Sequence, residues 1–157
     1  MGANIKINYS KKSLVVYGNI KKHPLKGINI NCKNIPDLFP ILSVIGIFAT
    51  GKTTLYNIWT LRVKESDRIA VMRRELEKMG VEVIEEENSF TSFHLNKELS
   101  INEINHENDH RIAMSLMCAI IYGNVPVKVR NIEIIKDSYP EFLTGLKDLG
   151  VSIKNIN

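Results

Sequence analysis

Cysteine is scarce: the 157 residues hold two, Cys32 and Cys118, far apart and neither in a Cys-x-x-Cys pair. No redox or thiolate-metal motif can be built from them, and each reads as a small buried hydrophobe in a reducing compartment. Long apolar runs are also missing. The longest, within residues 41–49 and 112–121, fall well short of the ~20 residues that span a bilayer. Residues 1–9 have no apolar core, so no signal peptide is expected and the location should be cytoplasmic. Aromatics are few, at 7%, and no RNA-binding aromatic motif accompanies the scattered lysines. The net charge of +4 is therefore matched as well by an anionic small substrate, and neither nucleic acid nor a membrane is expected as a partner.

What is present is a core and one dense stretch. Apolar residues make up 44% of the chain, enough for one domain. Residues 61–80, LRVKESDRIAVMRRELEKMG, carry the most information. Ile69, Met72, Leu76 and Met79 form one apolar helical stripe; Ser66 or Asp67 is a candidate N-cap and Gly80 a stop. Before the cap, Arg62, Lys64 and Ser66 alternate as on one side of an extended segment. Glu65 and Arg68, three apart, can share the opening turn, whose free N–H groups and dipole favour anions. Such a site suits a phosphorylated or carboxylated substrate that exchanges a proton, although a solvated, salt-bridged helix start has the same pattern.

The chain around it reads as strands at 4–9 and 13–17, a loop at 18–27 and a strand at 27–32. A helix follows from Asp37, its expected N-cap, through Ala49, with Pro40 in the first turn. That helix is apolar nearly all round, hence buried. Strands are expected at 53–58, 81–85 and 90–95, with a possible short one within 99–104. Asp109 opens a second all-round apolar helix, followed by a strand at 127–132, an amphipathic helix at 138–150 and a strand at 151–153.

The second half repeats the first. Asp37 and Asp109 lie 72 residues apart, the Asn57-Ile58 and Asn131-Ile132 pairs 74, and the Gly80-Val81 and Gly150-Val151 pairs 70. Near-constant offsets across four elements indicate a duplicated strand–helix–strand–helix–strand unit. The expected division is a remnant of a truncated unit at 1–26, one unit at 27–95 and a second at 99–157.

Three patterns are decoys. GIFATGKT, from Gly46 to Thr53, fits a P-loop, but the expected order is helix before and strand after, the reverse of what phosphate cradling needs. His106 to His110, HENDH, fits a zincin motif, yet the helix is expected to begin at Asp109, leaving His106 outside; no metal is expected. Cys118 lies inside a buried helix and reads as packing rather than a nucleophile.

Three segments carry a resemblance: RVKESDRI followed by a helix and GVEV, NDHRIAM at residues 108–114, and IPD at 35–37. Together they resemble the 5-enolpyruvylshikimate-3-phosphate synthase family, the shikimate-pathway enolpyruvyl transferases, over residues 4–153. A sister family that transfers enolpyruvate to UDP-N-acetylglucosamine shares the fold but lacks RVKESDR. The resemblance implies an α/β fold of repeated β-α-β-α-β-β units, buried helices central and sheets outside, with the buried helices aimed at a cleft between two domains.

It also implies a reaction between shikimate 3-phosphate and phosphoenolpyruvate, releasing phosphate, with no cofactor and no metal. By position, Asp37 would hydrogen-bond shikimate hydroxyls and accept the attacking proton, and Glu65 would exchange protons with C3 of phosphoenolpyruvate. Lys64 would contact the shikimate moiety and assist, and Arg68 and Arg111, with His110, would hold phosphoenolpyruvate. The pattern departs in two places. Lys136 stands one step away from the position of a phosphoenolpyruvate-contacting lysine, which is here Asp137. Thr60 stands where some members have a substrate-contacting asparagine. The family enzyme is more than twice this length, so the chain corresponds to a truncated carboxyl-terminal domain. A missing N-terminal domain is implied as partner, in cis or in trans, and negligible activity alone. The alternative is a non-catalytic domain of the same fold that binds anions or another protein.

Overall fold

The computed structural model describes residues 1–18 and 22–154, so part of the expected loop at 18–27 lies outside it. The chain opens with β1 (Ile5–Asn8) and β2 (Ser13–Val16), an antiparallel ribbon with Ile5 opposite Val16. Every residue of both strands is exposed.

Next come β3 (Asn29–Asn31), a 3-10 turn at Pro36–Leu38, α1 (Phe39–Ile47) and β4 (Lys52–Tyr56). A second 3-10 turn at Trp59–Val63 leads to α2 (Arg68–Lys78), then β5 (Val83–Glu85) and β6 (Ser89–Phe93). The four strands form one sheet in the order β3-β4-β6-β5, parallel between β3 and β4 and antiparallel elsewhere. The chain then runs through β7 (Glu103–Ile104), α3 (His110–Gly123) and β8 (Lys128–Val129), with β7 and β8 parallel. A third 3-10 turn, Ile132–Asp137, leads to α4 (Phe142–Asp148).

α1 is buried or half-buried along its whole length, as a helix apolar on every side must be. It packs against α3 on one side and the sheet on the other. Gly46 permits the second contact: a Cβ there would come within 2.9 Å of the Thr53 Cβ and the Ser92 Oγ. This glycine of the P-loop-like string is thus a packing residue, and its helix does precede the strand. Phe39 meets Phe90 edge to face at 5.2 Å between centroids, and Ile69, Met72, Leu76 and Met79 are all buried on α2.

Matching details recur along the two halves. Ser43 and Ser115 each donate to the carbonyl four residues back, at 2.8 and 2.7 Å. Asn57 and Asn131 both adopt left-handed backbone, φ 59° and 47°, just before the 3-10 turns, and Gly80 and Gly150 end α2 and α4 at φ 87° and 91°.

Four expectations are corrected. Asp37 does not cap the buried helix: it sits inside the 3-10 turn, and α1 begins at Phe39, whose N–H bonds to the Pro36 carbonyl. Carbonyls of the preceding turn thus do the work of a side-chain cap. Residues 62–66 are not an extended strand end, because Arg62 lies in the 3-10 turn. The helix expected at 138–150 begins only at Phe142, since Pro140 disfavours helical geometry at Tyr139. Residues 151–154 form no strand: β5 pairs with β6, and no counterpart of β6 is found among the described residues of the second half. No helix of the described residues is long and apolar enough to cross a membrane.

Candidate active site

Three separated segments meet at Arg68. The turn before α1 brings Asp37, the loop before α2 brings Glu65, and the start of α3 brings Asp109 and Arg111. Arg68 opens α2 and is 1% exposed. Its Nε donates to Asp109 Oδ2 at 2.7 Å, Nη1 to Asp37 Oδ1 at 2.9 Å and Nη2 to Glu65 Oε2 at 2.8 Å. A buried guanidinium survives only when its fork is met by carboxylates, and here all three nitrogens are met.

Asp109 is 0% exposed and does two jobs. Oδ1 caps α3, accepting from the Arg111 and Ile112 amides at 2.9 and 3.3 Å, while Oδ2 takes Arg68 and the Ser66 hydroxyl at 3.3 Å. Asp67 caps α2 in the same way, through the Ile69 and Ala70 amides at 3.1 and 3.0 Å. The helix-end amides that could attract an anion are thus partly occupied by the protein's own aspartates.

Asp37 and Glu65 form the open side, with side chains 49% and 47% exposed. Arg111 Nη2 reaches the second Asp37 oxygen at 3.1 Å. Partial burial opposes ionisation of Asp37. The Arg68 hydrogen bond and the charges of Arg111, Arg68 and Lys64 outweigh it and hold its carboxyl below the usual range. Around Arg68 the losses from burial are likewise outweighed, chiefly by Asp109, so its charge is held more firmly than usual. Three carboxylates (Asp37, Glu65, Asp109) face three cations (Arg68, Arg111, Lys64). The arrangement can hold an anionic ligand against Lys64 and Arg111 while keeping two reachable carboxylates for proton transfer.

The other expected residues lie at different distances from this cluster. His110 is the first residue of α3, half-buried beside Asp109. Thr60 is half-buried in the 3-10 turn before Lys64. Lys136 is not brought to the cluster: it is exposed in the third 3-10 turn and pairs with Glu133. Arg62 also leaves the expected cationic row, pairing instead with Asp67 and Glu85. His106 stands outside α3, its Nε2 2.8 Å from the Arg130 carbonyl. The Asp109–Arg68 contact was not foreseen, yet its signal was available. Arg68, Met72, Leu76 and Met79 fall on one stripe, and an arginine on a buried stripe requires buried carboxylate partners.

The EPSP synthase (3-phosphoshikimate 1-carboxyvinyltransferase) family model matches residues 1–146. The chain is 36% identical over 154 residues to the 3-phosphoshikimate 1-carboxyvinyltransferase of Methanocaldococcus jannaschii, covering 98% of this chain and 34% of that one. It is 41% identical over 130 residues to the Clostridium acetobutylicum enzyme of the same name, covering 83% of this chain and 30% of that one. The EPSP synthase structure from Acinetobacter baumannii superposes with a TM-score of 0.80 at 29% identity, over 98% of this chain and 38% of that one. The enolpyruvyl transferase NikO from Streptomyces tendae shares the fold, at TM-score 0.70 and 19% identity over 98% of this chain and 34% of that one. The chain thus spans about a third of the length of these relatives. With nearly its whole length matched, it belongs to the EPSP synthase family.

Proposed function

We propose that this chain supplies the carboxyl-terminal share of an enolpyruvyl transferase site that joins shikimate 3-phosphate to phosphoenolpyruvate and releases phosphate. The observation that carries the reading is the meeting of Asp37, Glu65, Arg68 and Arg111 from three segments in one half-open cluster. In the reaction, the substrate's 5-hydroxyl adds to C2 of phosphoenolpyruvate while C3 gains a proton. Elimination of phosphate then returns that proton. Asp37, kept ionised by its arginines, accepts the hydroxyl proton and orients the shikimate hydroxyls with Lys64 and Thr60. Glu65 exchanges the proton at C3, its carboxyl being reachable and neighboured by cations. Arg111 and Arg68, with His110, hold the carboxylate and phosphate of phosphoenolpyruvate. Substrate anions compete with Asp37 and Glu65 for these guanidiniums, so binding re-partners charges that the unliganded cluster already balances. Lys136 reaches the ligand only if the third 3-10 turn shifts.

The partner is the remaining part of such an enzyme, in cis or in trans. Without it the proximity and electrostatic contributions of half the cleft are missing, so the chain alone is inactive. The organisation is a remnant at 1–26 and units at 27–95 and 99–157, in a cytoplasmic enzyme that uses no cofactor. The test is phosphate release from the two substrates by the chain alone and mixed with a matching amino-terminal fragment. Activity in the mixture only, lost in Asp37→Asn, is expected. A stable complex with no activity would overturn the reading.

A further inference from the structure

Arg62 has no counterpart role in the cluster, yet it is among the most heavily bonded side chains in the fold. Nη1 lies 2.7 Å from Glu85 Oε1 and 3.2 Å from Asp67 Oδ2, Nη2 donates to the Glu86 carbonyl at 2.8 Å, and Nε to the Glu87 carbonyl at 3.3 Å. The β5–β6 turn that receives it is fixed from a second direction: Asn88 Oδ1 accepts the Ile58 and Trp59 amides at 2.8 and 3.0 Å. Between Arg62 and Asp67 lies the loop bearing Lys64, Glu65 and Ser66. Arg62 and Asp67 are paired to each other, so both ends of that loop are drawn together and tied to one turn of the sheet. Asp67 also caps α2, so its orientation sets where Arg68 begins.

We propose that Arg62 is a positioning residue for the transferase reaction: by tying the ends of the 62–67 loop to the β5–β6 turn, it sets the placement of Lys64 and Glu65. The inference rests on the function proposed above. A lysine cannot substitute, because one ammonium cannot meet two carboxylates and two carbonyls in a planar array. The pair with Glu85 and, less strongly, that with Asp67 favour the charged form of the guanidinium.

The test uses Arg62→Ala and Arg62→Lys in two measurements. Amide hydrogen exchange on the chain itself should show faster exchange confined to 62–70 and 85–88, with α3 unchanged. In the active mixture, kcat per folded molecule should fall by about 100-fold, the order expected when a catalytic group is displaced by about an ångström. KM for phosphoenolpyruvate should change far less than kcat, since Arg111 is untouched and Arg68 stays held by Asp109, and Arg62→Lys should fail as Arg62→Ala does. A merely structural role would lower the folded fraction and leave kcat per folded molecule intact. That result, or unchanged exchange at 62–70, would overturn the proposal. A stable wild-type complex with no activity would overturn the transferase reading and this role with it, while the exchange data would still report whether Arg62 fastens the loop.

Discussion

The starts of the two buried helices hold the same residue 72 positions apart, and the two aspartates have opposite fates. Asp109 is wholly buried, caps its helix and anchors Arg68. Asp37 is half exposed, caps no helix, and pairs with the guanidiniums of Arg68 and Arg111. What separates them is the 3-10 turn at Pro36–Leu38, which satisfies the start of α1 by backbone alone and frees the Asp37 side chain. Matching positions in the two halves thus hold one aspartate built into the fold and one left at the open side of the cluster.

The largest expected difference is in stability. Asp109→Ala removes a cap and leaves the Nε of the buried Arg68 unmet, and should cost about 3 kcal/mol in urea unfolding. Asp37→Ala loses pairs on the open side of the cluster, where water can take the place of the half-exposed carboxylate, and should cost at most about 1 kcal/mol. Equal costs would erase the distinction. Next comes a pair of positions within the same helices, Gly46 and Cys118, again 72 apart. Gly46→Ala drives a methyl against Thr53 and Ser92 and should destabilise by about 1–3 kcal/mol. Cys118 is half-buried, and Cys118→Ala should cost less.

The smallest effect is a pH dependence. The Asp37 carboxyl is held below its ordinary 3.8, so its pairing stabilises the fold above that value and is lost as pH falls through the lower folded value. The difference in unfolding midpoint between wild type and Asp37→Asn should therefore be constant above about pH 4 and close below it. A gap that widened on acidification would contradict the assignment.

Much of this could be read from the residues. The stripe on α2 follows from helical spacing and the capping by Asp109 from its residue type at a helix start. Glu65 meets Arg68 as their separation of three suggests, but from the loop before α2 rather than from its opening turn. The fate of Asp37 did not, because a proline-led 3-10 turn and a capped helix start share the string Pro-Asp. Arg62 was misplaced for a related reason. Alternation suggested an extended segment, whereas Asn57, in left-handed backbone, turns the chain into a 3-10 helix that aims Arg62 at the β5–β6 turn. Strand 151–153 failed because strand pattern without a neighbour to bond leaves the backbone unpaired. Long-range partners, unlike helical periodicity, are not written locally.

The measurement that goes most directly to the central claim is proton exchange at C3 of phosphoenolpyruvate. The active mixture, incubated in D2O with both substrates, should incorporate deuterium at C3, and Glu65→Gln should abolish incorporation while phosphoenolpyruvate still binds. Undiminished exchange in Glu65→Gln would place the proton-transfer group elsewhere and contradict the account of this cluster.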